Sequence, residues 1–355
     1  MAVHPLIVED LQGVLLRQSP HWTRLKHAHI FITGATGFFG TWLLELLRIA
    51  NREFSLGCRL TALSRNPARN AAHAGHLLSD PAITWLAGDV RSFPFPDPPI
   101  THVIHAASEV HTALRAGDAR SVFDVCVDGT RRVVDLAATQ GVQRFLFTSS
   151  GAVYGSQPPR VSHIPETFLG GPDPLRHDHA YAEGKRAAEL LCSLAVADGR
   201  LEHASIARCF SFVGPYQPLN APFAVANFMR DAIAGGAIRL DGDGTPLRGY
   251  LYAADLAEWL LMILIRGRSG VAYNVGGEET VSIRGLADHV AALAAEIWPL
   301  RTRCTVAAPH TSRTTAAQPD YVPDCTRARE ELSLRAVTTL DHALRRTLLW
   351  HDSRS

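Results

Sequence analysis

His29-Ile-Phe-Ile-Thr-Gly34-Ala-Thr-Gly37-Phe-Phe-Gly40 passes directly from a β-rich run into a helical stretch. Gly34 permits a tight turn, Gly37 lets the backbone approach a pyrophosphate, and Gly40 allows the helix to pack closely on the strand. The helix start adds free N–H groups and a positive dipole end. Thr36, Phe38 and Phe39 complete the candidate dinucleotide loop. Three glycines alone are a weak signal; the strand before them and the helix after them are what give it meaning.

Working outward, short β-rich runs recur at His29–Thr33, Arg59–Leu63, Ile83–Leu86, His102–His105, Gln143–Ser149 and Ala204–Phe210. Helical stretches separate them, notably Phe39–Ala50, Ser121–Gln140 and Tyr181–Ala197. Near-continuous apolar strands alternating with helices predict an α/β fold, a Rossmann-type doubly wound parallel sheet covered on both faces. Residues 1–27 read as an N-terminal helical extension packed on the outside, and 28–205 as the NAD(P)-binding domain, with part of 237–266. After about residue 206 the alternation breaks down into helical segments (Asn220–Ala234, Ala254–Ile265, Ile283–Ile297, Leu340–Trp350) and Gly- and Pro-rich connections. Residues 206–355 therefore read mainly as a smaller mixed substrate-binding lobe. Thr305–Pro323, rich in Thr, Ala and Pro, reads as a long surface loop.

The end of the second strand discriminates between cofactors. An acidic residue there accepts from the adenosine ribose 2′-hydroxyl, whereas arginine accommodates a 2′-phosphate. Here it reads Ser64-Arg65-Asn66-Pro67, with Arg69 nearby and no carboxylate, which favours NADP over NAD. Arg65 stacked on adenine, or facing water, is the alternative. Asp89 and Val90 after the third strand are placed near the adenine, and Ala106 and Ala107 after the fourth leave room for cofactor against backbone. A solvated aspartate and a helix-favouring alanine pair are the plainer readings of those two sites.

Tyr181-Ala-Glu-Gly-Lys185 puts a phenol and an ammonium one helical turn apart on one face. A nearby ammonium favours the phenolate and brings the tyrosine into acid–base range. The chain holds 35 basic residues, of which only Lys26 and Lys185 are lysines. A compact ammonium reaches a ribose hydroxyl where a guanidinium fork does not fit. Ser150 ends the fifth strand, where ligands of open α/β sheets lie. Its hydroxyl either polarises a substrate oxygen or caps the following turn.

Composition narrows the field. Over 355 residues, 46% are apolar and 19% charged, which excludes a disordered chain. Net charge is +1, with no basic stripe interleaved with aromatics, so neither nucleic acid nor an anionic membrane is implied. The longest apolar run, Trp259–Ile265, is far short of the ~20 residues a bilayer span needs. No basic start with an apolar stretch marks a secretory signal. The cysteines at 58, 126, 192, 209, 304 and 325 are scattered, with no CxxC pair, which predicts reduced thiols in a cytoplasmic protein and no metal site.

Taken together these residues resemble the extended short-chain dehydrogenase/reductase family, the NAD-dependent epimerase/dehydratase group acting on nucleotide sugars. The resemblance runs from about Lys26 to Trp350. It rests on the glycines at 34–40, the run Ser149-Ser-Gly-Ala-Val-Tyr154-Gly155, Tyr181-x3-Lys185, Phe212-Val-Gly-Pro215, the stretch Gly242–Leu256 and Tyr273-Asn-Val-Gly-Gly277. It implies a Ser150–Tyr181–Lys185 active site, a nucleoside-diphosphate sugar substrate gripped by Arg248 with Ser211 beside it, and a homodimer formed through paired helices. The similar 4,6-dehydratases and decarboxylases place acidic or hydroxyl residues after the catalytic Ser/Thr. Here those positions are Gly151 and Ala152, which transfer no proton. Elimination is disfavoured unless Glu109, His111 or His163 takes over, and a 4-epimerase or an NADPH-dependent 4-ketoreductase fits better. Cys126 and Ser211 stand where many members have asparagine. A cofactor-binding protein without turnover is the rival of another class, and retention of Ser150, Tyr181 and Lys185 counts against it.

Overall fold

A computed structural model describes residues 3–97, 99–108, 118–240, 242–299, 305–307 and 319–353. The chain begins with helix α1 (Pro5–Arg17) and a 3-10 turn at Ser19–Leu25. Proline suits the first turn, where its missing N–H costs nothing, and the His4 ring accepts from the Leu6 N–H. Ile7, Leu11, Val14 and Leu15 form its buried stripe.

Strands β1 (His29–Thr33), β2 (Arg59–Ser64), β3 (Ile83–Ala87), β4 (His102–His105), β5 (Arg144–Ser150) and β6 (Ala204–Cys209) follow the expected runs to within a residue. Between them come α2 (Phe38–Glu53), α3 (Ala71–Leu78), α4 (Ala119–Gln140) and α5 (Ala180–Ala197). Asp118 caps α4 by accepting the Ser121 N–H, and Gly141, at φ +64°, ends it in the left-handed region.

The second half contributes β7 (Ser211–Val213), α6 (Ala224–Ile233), β8 (Leu247–Tyr252), α7 (Ala253–Arg266), β9 (Ala272–Val275), β10 (Thr280–Ser282) and α8 (Ile283–Ile297). Helices α9 (Thr326–Leu332) and α10 (Leu340–Asp352) follow. Among the described residues, seven strands form one parallel sheet in the order β3-β2-β1-β4-β5-β6-β9. Strand β9 is a departure from the expected loss of alternation. It is four residues long, and Tyr273 and Val275 are buried, too short a run for periodicity to reveal. Helix α7 explains its delivery: residues 253–265 are buried all round, so the helix must lie under the sheet and carries the chain to its far edge.

Helices α4 and α5 cover one face, where Val125, Val133, Ala188 and Cys192 meet Phe145 and Phe147. Helices α2 and α7 cover the other, with α1 outside them. Strands β10-β8-β7 make a smaller mixed sheet, β7 parallel and β10 antiparallel to β8. The expected surface loop at Thr305–Pro323 is corrected at both described ends. Val306 pairs with Ile238, and Tyr321 lines a cavity while Val322 is buried. Tyr321 and Val322 are apolar residues with partners to pack on, and they pull the chain inward.

Candidate active site

The strand order reverses between β1 and β4, and the crevice opens at their carboxyl ends. Gly34 sits at φ +68°, and a Cβ there would stand 2.7 Å from the Ala106 carbonyl oxygen and 2.8 Å from Ala107 Cα. A Cβ at Gly40 would run into the Gly34 carbonyl and Ala35, so helix α2 lies directly on the turn. Gly37 caps α2 with no side-chain bond, leaving first-turn N–H groups unpaired by any cap. Bare backbone at the crevice and a helix start behind it form a cradle that suits a dinucleotide diphosphate.

A cavity of about 890 Å³ opens from this cradle. Gly34, Gly37, Phe38, Phe39 and Ala106 line one end, and Ser150, Tyr181, Lys185, Ser211 and Arg248 line the rest. Thr36, Gly40, Ser64, Arg65, Asp89, Val90 and Ala107 stand outside its lining. The Thr36 and Ser64 hydroxyls bond each other at 2.7 Å, tying the glycine turn to the end of β2. Both Asp89 oxygens accept from Arg91 at 2.9 Å, which holds the carboxyl below its usual range. Val90 packs under α4, where a Cβ at Gly129 would meet it at 2.8 Å.

Helix α5 carries Tyr181 in its first turn and Lys185 in its second, both facing the cavity. Tyr181 keeps some accessible surface on the cavity side. It is enclosed deeply enough that burial pushes its phenol well above the usual range, against the pull of hydrogen bonds with Ser150 and Ser108. The expected lowering of the phenol by Lys185 is corrected. The Lys185 ammonium lies 5.9 Å from the Tyr181 ring centre and 4.7 Å over the Phe147 ring. It donates to the Thr148 carbonyl at 2.7 Å, and burial lowers its own pKa. The two groups share a wall, but the ammonium is satisfied by backbone. Cys126, in the asparagine position, is buried beside both, against Gly184.

Ser150 caps the turn that follows it and also lines the cavity. Its Oγ accepts the Ala152 N–H at 3.2 Å, capping the turn at Gly151–Tyr154, and it faces the cavity. Beneath it, Ser149 donates to Glu189 at 2.6 Å, and Arg208 grips the same carboxylate at 3.0 and 2.7 Å. Arg208 also donates to the Tyr154 hydroxyl, which donates to Asn274. This network fixes the end of β5. Arg248 Nη1 donates to the Leu247 and Pro319 carbonyls at 2.8 and 2.9 Å.

Glu109 and His111 lie outside the described residues. His163 bonds the Glu278 carbonyl at 3.2 Å and is not in the cavity lining. Among the lining hydroxyls that escaped the sequence reading are Ser108 and Tyr321. Ser108 follows the noted Ala106-Ala107 pair by one residue, a signal that was present. Tyr321 sits in a stretch whose composition masked it. Among the described residues no three His, Cys, Asp or Glu side chains are placed to hold a metal ion, and no helix is long and apolar enough to cross a membrane.

Comparison with known proteins identifies the family and the fold. The sequence profile of the NAD dependent epimerase/dehydratase family matches residues 30–276. The chain is 28% identical to a dTDP-glucose 4,6-dehydratase of Streptomyces griseus, over 92% of this chain and 95% of that one. It is 32% identical to UDP-glucuronic acid decarboxylase 3 of Arabidopsis thaliana, over 74% and 73%. Its fold matches that of the UDP-glucose 4-epimerase of Thermotoga maritima with a TM-score of 0.75 at 19% identity, over 92% and 99%.

Proposed function

The chain belongs to the NAD dependent epimerase/dehydratase family, and on that premise we propose that it is a nucleotide-sugar epimerase whose chemistry takes place at C4 through Ser150, Tyr181 and Lys185. The observation that carries this reading is the shared wall. Ser150, Tyr181 and Lys185 face one cavity that begins at the glycine cradle, while Gly151 and Ala152 offer no acid. The elimination and decarboxylation named for the relatives call for a further proton-transfer group. The hydroxyl nearest Gly151 is that of Tyr321, which a Cβ at 151 would meet at 2.7 Å.

The cradle fits a nicotinamide dinucleotide, with Gly34, Gly37, Phe38 and Phe39 at its diphosphate and Lys185 within reach of a ribose hydroxyl. When bound, that group supplies the hydride acceptor and donor. Tyr181 takes the proton of the C4 hydroxyl and returns it after the 4-keto sugar has turned over. Ser150 donates to the same oxygen. Arg248 keeps its other guanidinium nitrogens for the substrate diphosphate, where parallel hydrogen bonds are strongest.

A second reading, an NADPH-dependent 4-ketoreductase, is favoured by the end of β2. The sequence there reads Ser64-Arg65-Asn66, with arginine in place of the acidic residue that favours NAD. Exposed Phe123, Leu190 and Leu194 on α4 and α5 support a homodimer through these helices.

Denaturing the purified protein and identifying the released nucleotide separates the two readings. Tightly held NAD supports the epimerase, and an empty protein that consumes NADPH with a 4-keto sugar nucleotide supports the reductase. Tyr181→Phe should abolish turnover of UDP-glucose, dTDP-glucose or their 4-keto forms by at least ~100-fold. Unchanged turnover in that variant would overturn both.

A further inference from the structure

Tyr321 reaches the cavity on a strap that the fold holds from both sides. Its N–H donates to the Leu247 carbonyl at 3.0 Å, and the Val322 N–H donates to Gln157 Oε1 at 2.9 Å. The Ile164 N–H donates to Val322, and the Asp324 N–H returns to Ile164, each at 2.9 Å. The ring lies 4.6 Å from that of Phe210, with the Arg248 guanidinium 5.9 Å from its centre. So held, the phenol oxygen stands 3.4 Å from Ser150 Oγ and 3.5 Å from the Cys209 carbonyl.

A serine hydroxyl has one hydrogen and two lone pairs. At Ser150 one lone pair takes the Ala152 N–H. The Tyr321 hydroxyl meets the same oxygen at 3.4 Å, and Tyr181 lines the cavity beside it. We propose that Tyr321 is a positioning residue: its phenol donates to the second lone pair of Ser150, so the only serine hydrogen points at the oxygen shared by Tyr181 and the substrate. The inference rests on the Ser150–Tyr181–Lys185 reading above and adds a group to it.

Gly151 supports the same arrangement independently. A Cβ at 151 would lie 2.7 Å from the Tyr321 hydroxyl and 2.7 Å from the Phe210 ring. The bare residue after the serine leaves the space that the phenol fills. The opposite polarity, with Tyr321 donating to Cys209 and accepting from Ser150, would turn the serine hydrogen away from Tyr181.

The test uses Tyr321→Phe, which keeps the ring and its stacking and removes only the hydroxyl. In enzyme saturated with NAD, ultraviolet phenolate absorbance is titrated in the wild type, Tyr181→Phe, Tyr321→Phe and the double variant. Subtraction within each pair isolates Tyr181. Losing the donor to Ser150 should raise the Tyr181 midpoint by about half a pH unit or more. With a nucleotide sugar that turns over, kcat should fall about tenfold at unchanged KM, its acidic limb moving up by the same amount. Gly151→Ala, which displaces the phenol, should reproduce the shift. A Tyr181 midpoint that is unchanged or lower in Tyr321→Phe overturns the proposal. Unchanged turnover in Tyr181→Phe overturns the underlying site reading instead, a result the Tyr321 variants cannot mimic.

Discussion

The Lys185 ammonium donates to the carbonyl of Thr148, 2.7 Å away and two residues before Ser150 on the same strand. A charge on α5 is thereby tied to the strand end that presents the serine, so helix and sheet meet at the reacting groups. Burial lowers the Lys185 pKa, which means the charged form is held at a cost to folding.

That cost separates activity from stability. Lys185→Met keeps the length of the stem and drops the charge. Turnover should fall by at least ~100-fold, while the thermal midpoint at pH 7 stays level or rises. A variant that is equally active, or one that melts far below the wild type, would contradict this account.

Glu189 and Arg208 should show the opposite balance. The carboxylate accepts from Ser149 and from two guanidinium nitrogens, and both side chains are mostly buried. Glu189→Ala leaves the guanidinium without its partner and should cost about 3 kcal/mol in denaturant unfolding. Glu189→Leu combined with Arg208→Met should recover most of it, because neither charge is then left alone. A double variant no more stable than Glu189→Ala would show that the pair does not act as a unit.

Asp10 links stability to pH. Burial pushes its carboxyl up to about 6, against the Tyr252 hydroxyl and the Arg346 guanidinium, which pull it down, while Glu9 adds to the rise. A raised carboxyl binds its proton more tightly folded than unfolded. Its contribution is therefore full below about pH 4 and lost as pH rises through about 6. The upper bound is about 3 kcal/mol. Denaturant unfolding at pH 4.5 and 7 should show the wild type losing ground to Asp10→Asn across that interval. Parallel profiles for the two proteins would refute the assignment.

Much of this architecture is legible in the sequence. The glycine turn, the six leading strands and Tyr181-x3-Lys185 all carry local signals: a spacing, a period, or a residue type rare in this chain. What escaped depends on distant partners. Tyr321 is 171 residues from Ser150, and only the strap against Leu247 and Gln157 brings it there. The Lys185–Tyr181 relationship was read from helical geometry, which was right about the shared face. The ammonium's choice of the Thr148 carbonyl was invisible, because it depends on how deeply α5 sits on β5. Asp89 was read as a carboxylate near the adenine, and Arg91, two residues on, holds both its oxygens.

The late arrival of β9 sets the order of assembly. Until residue 275 has left the ribosome, β6 presents an unpaired row of backbone donors and acceptors, and such an edge recruits strands from other chains. Pairing across more than 60 residues of intervening chain is slow to form. Nascent chains stalled between residues 210 and 270 should accordingly be the species that chaperones hold or that aggregates collect, and hydrogen exchange during refolding should protect β6 last among the inner strands.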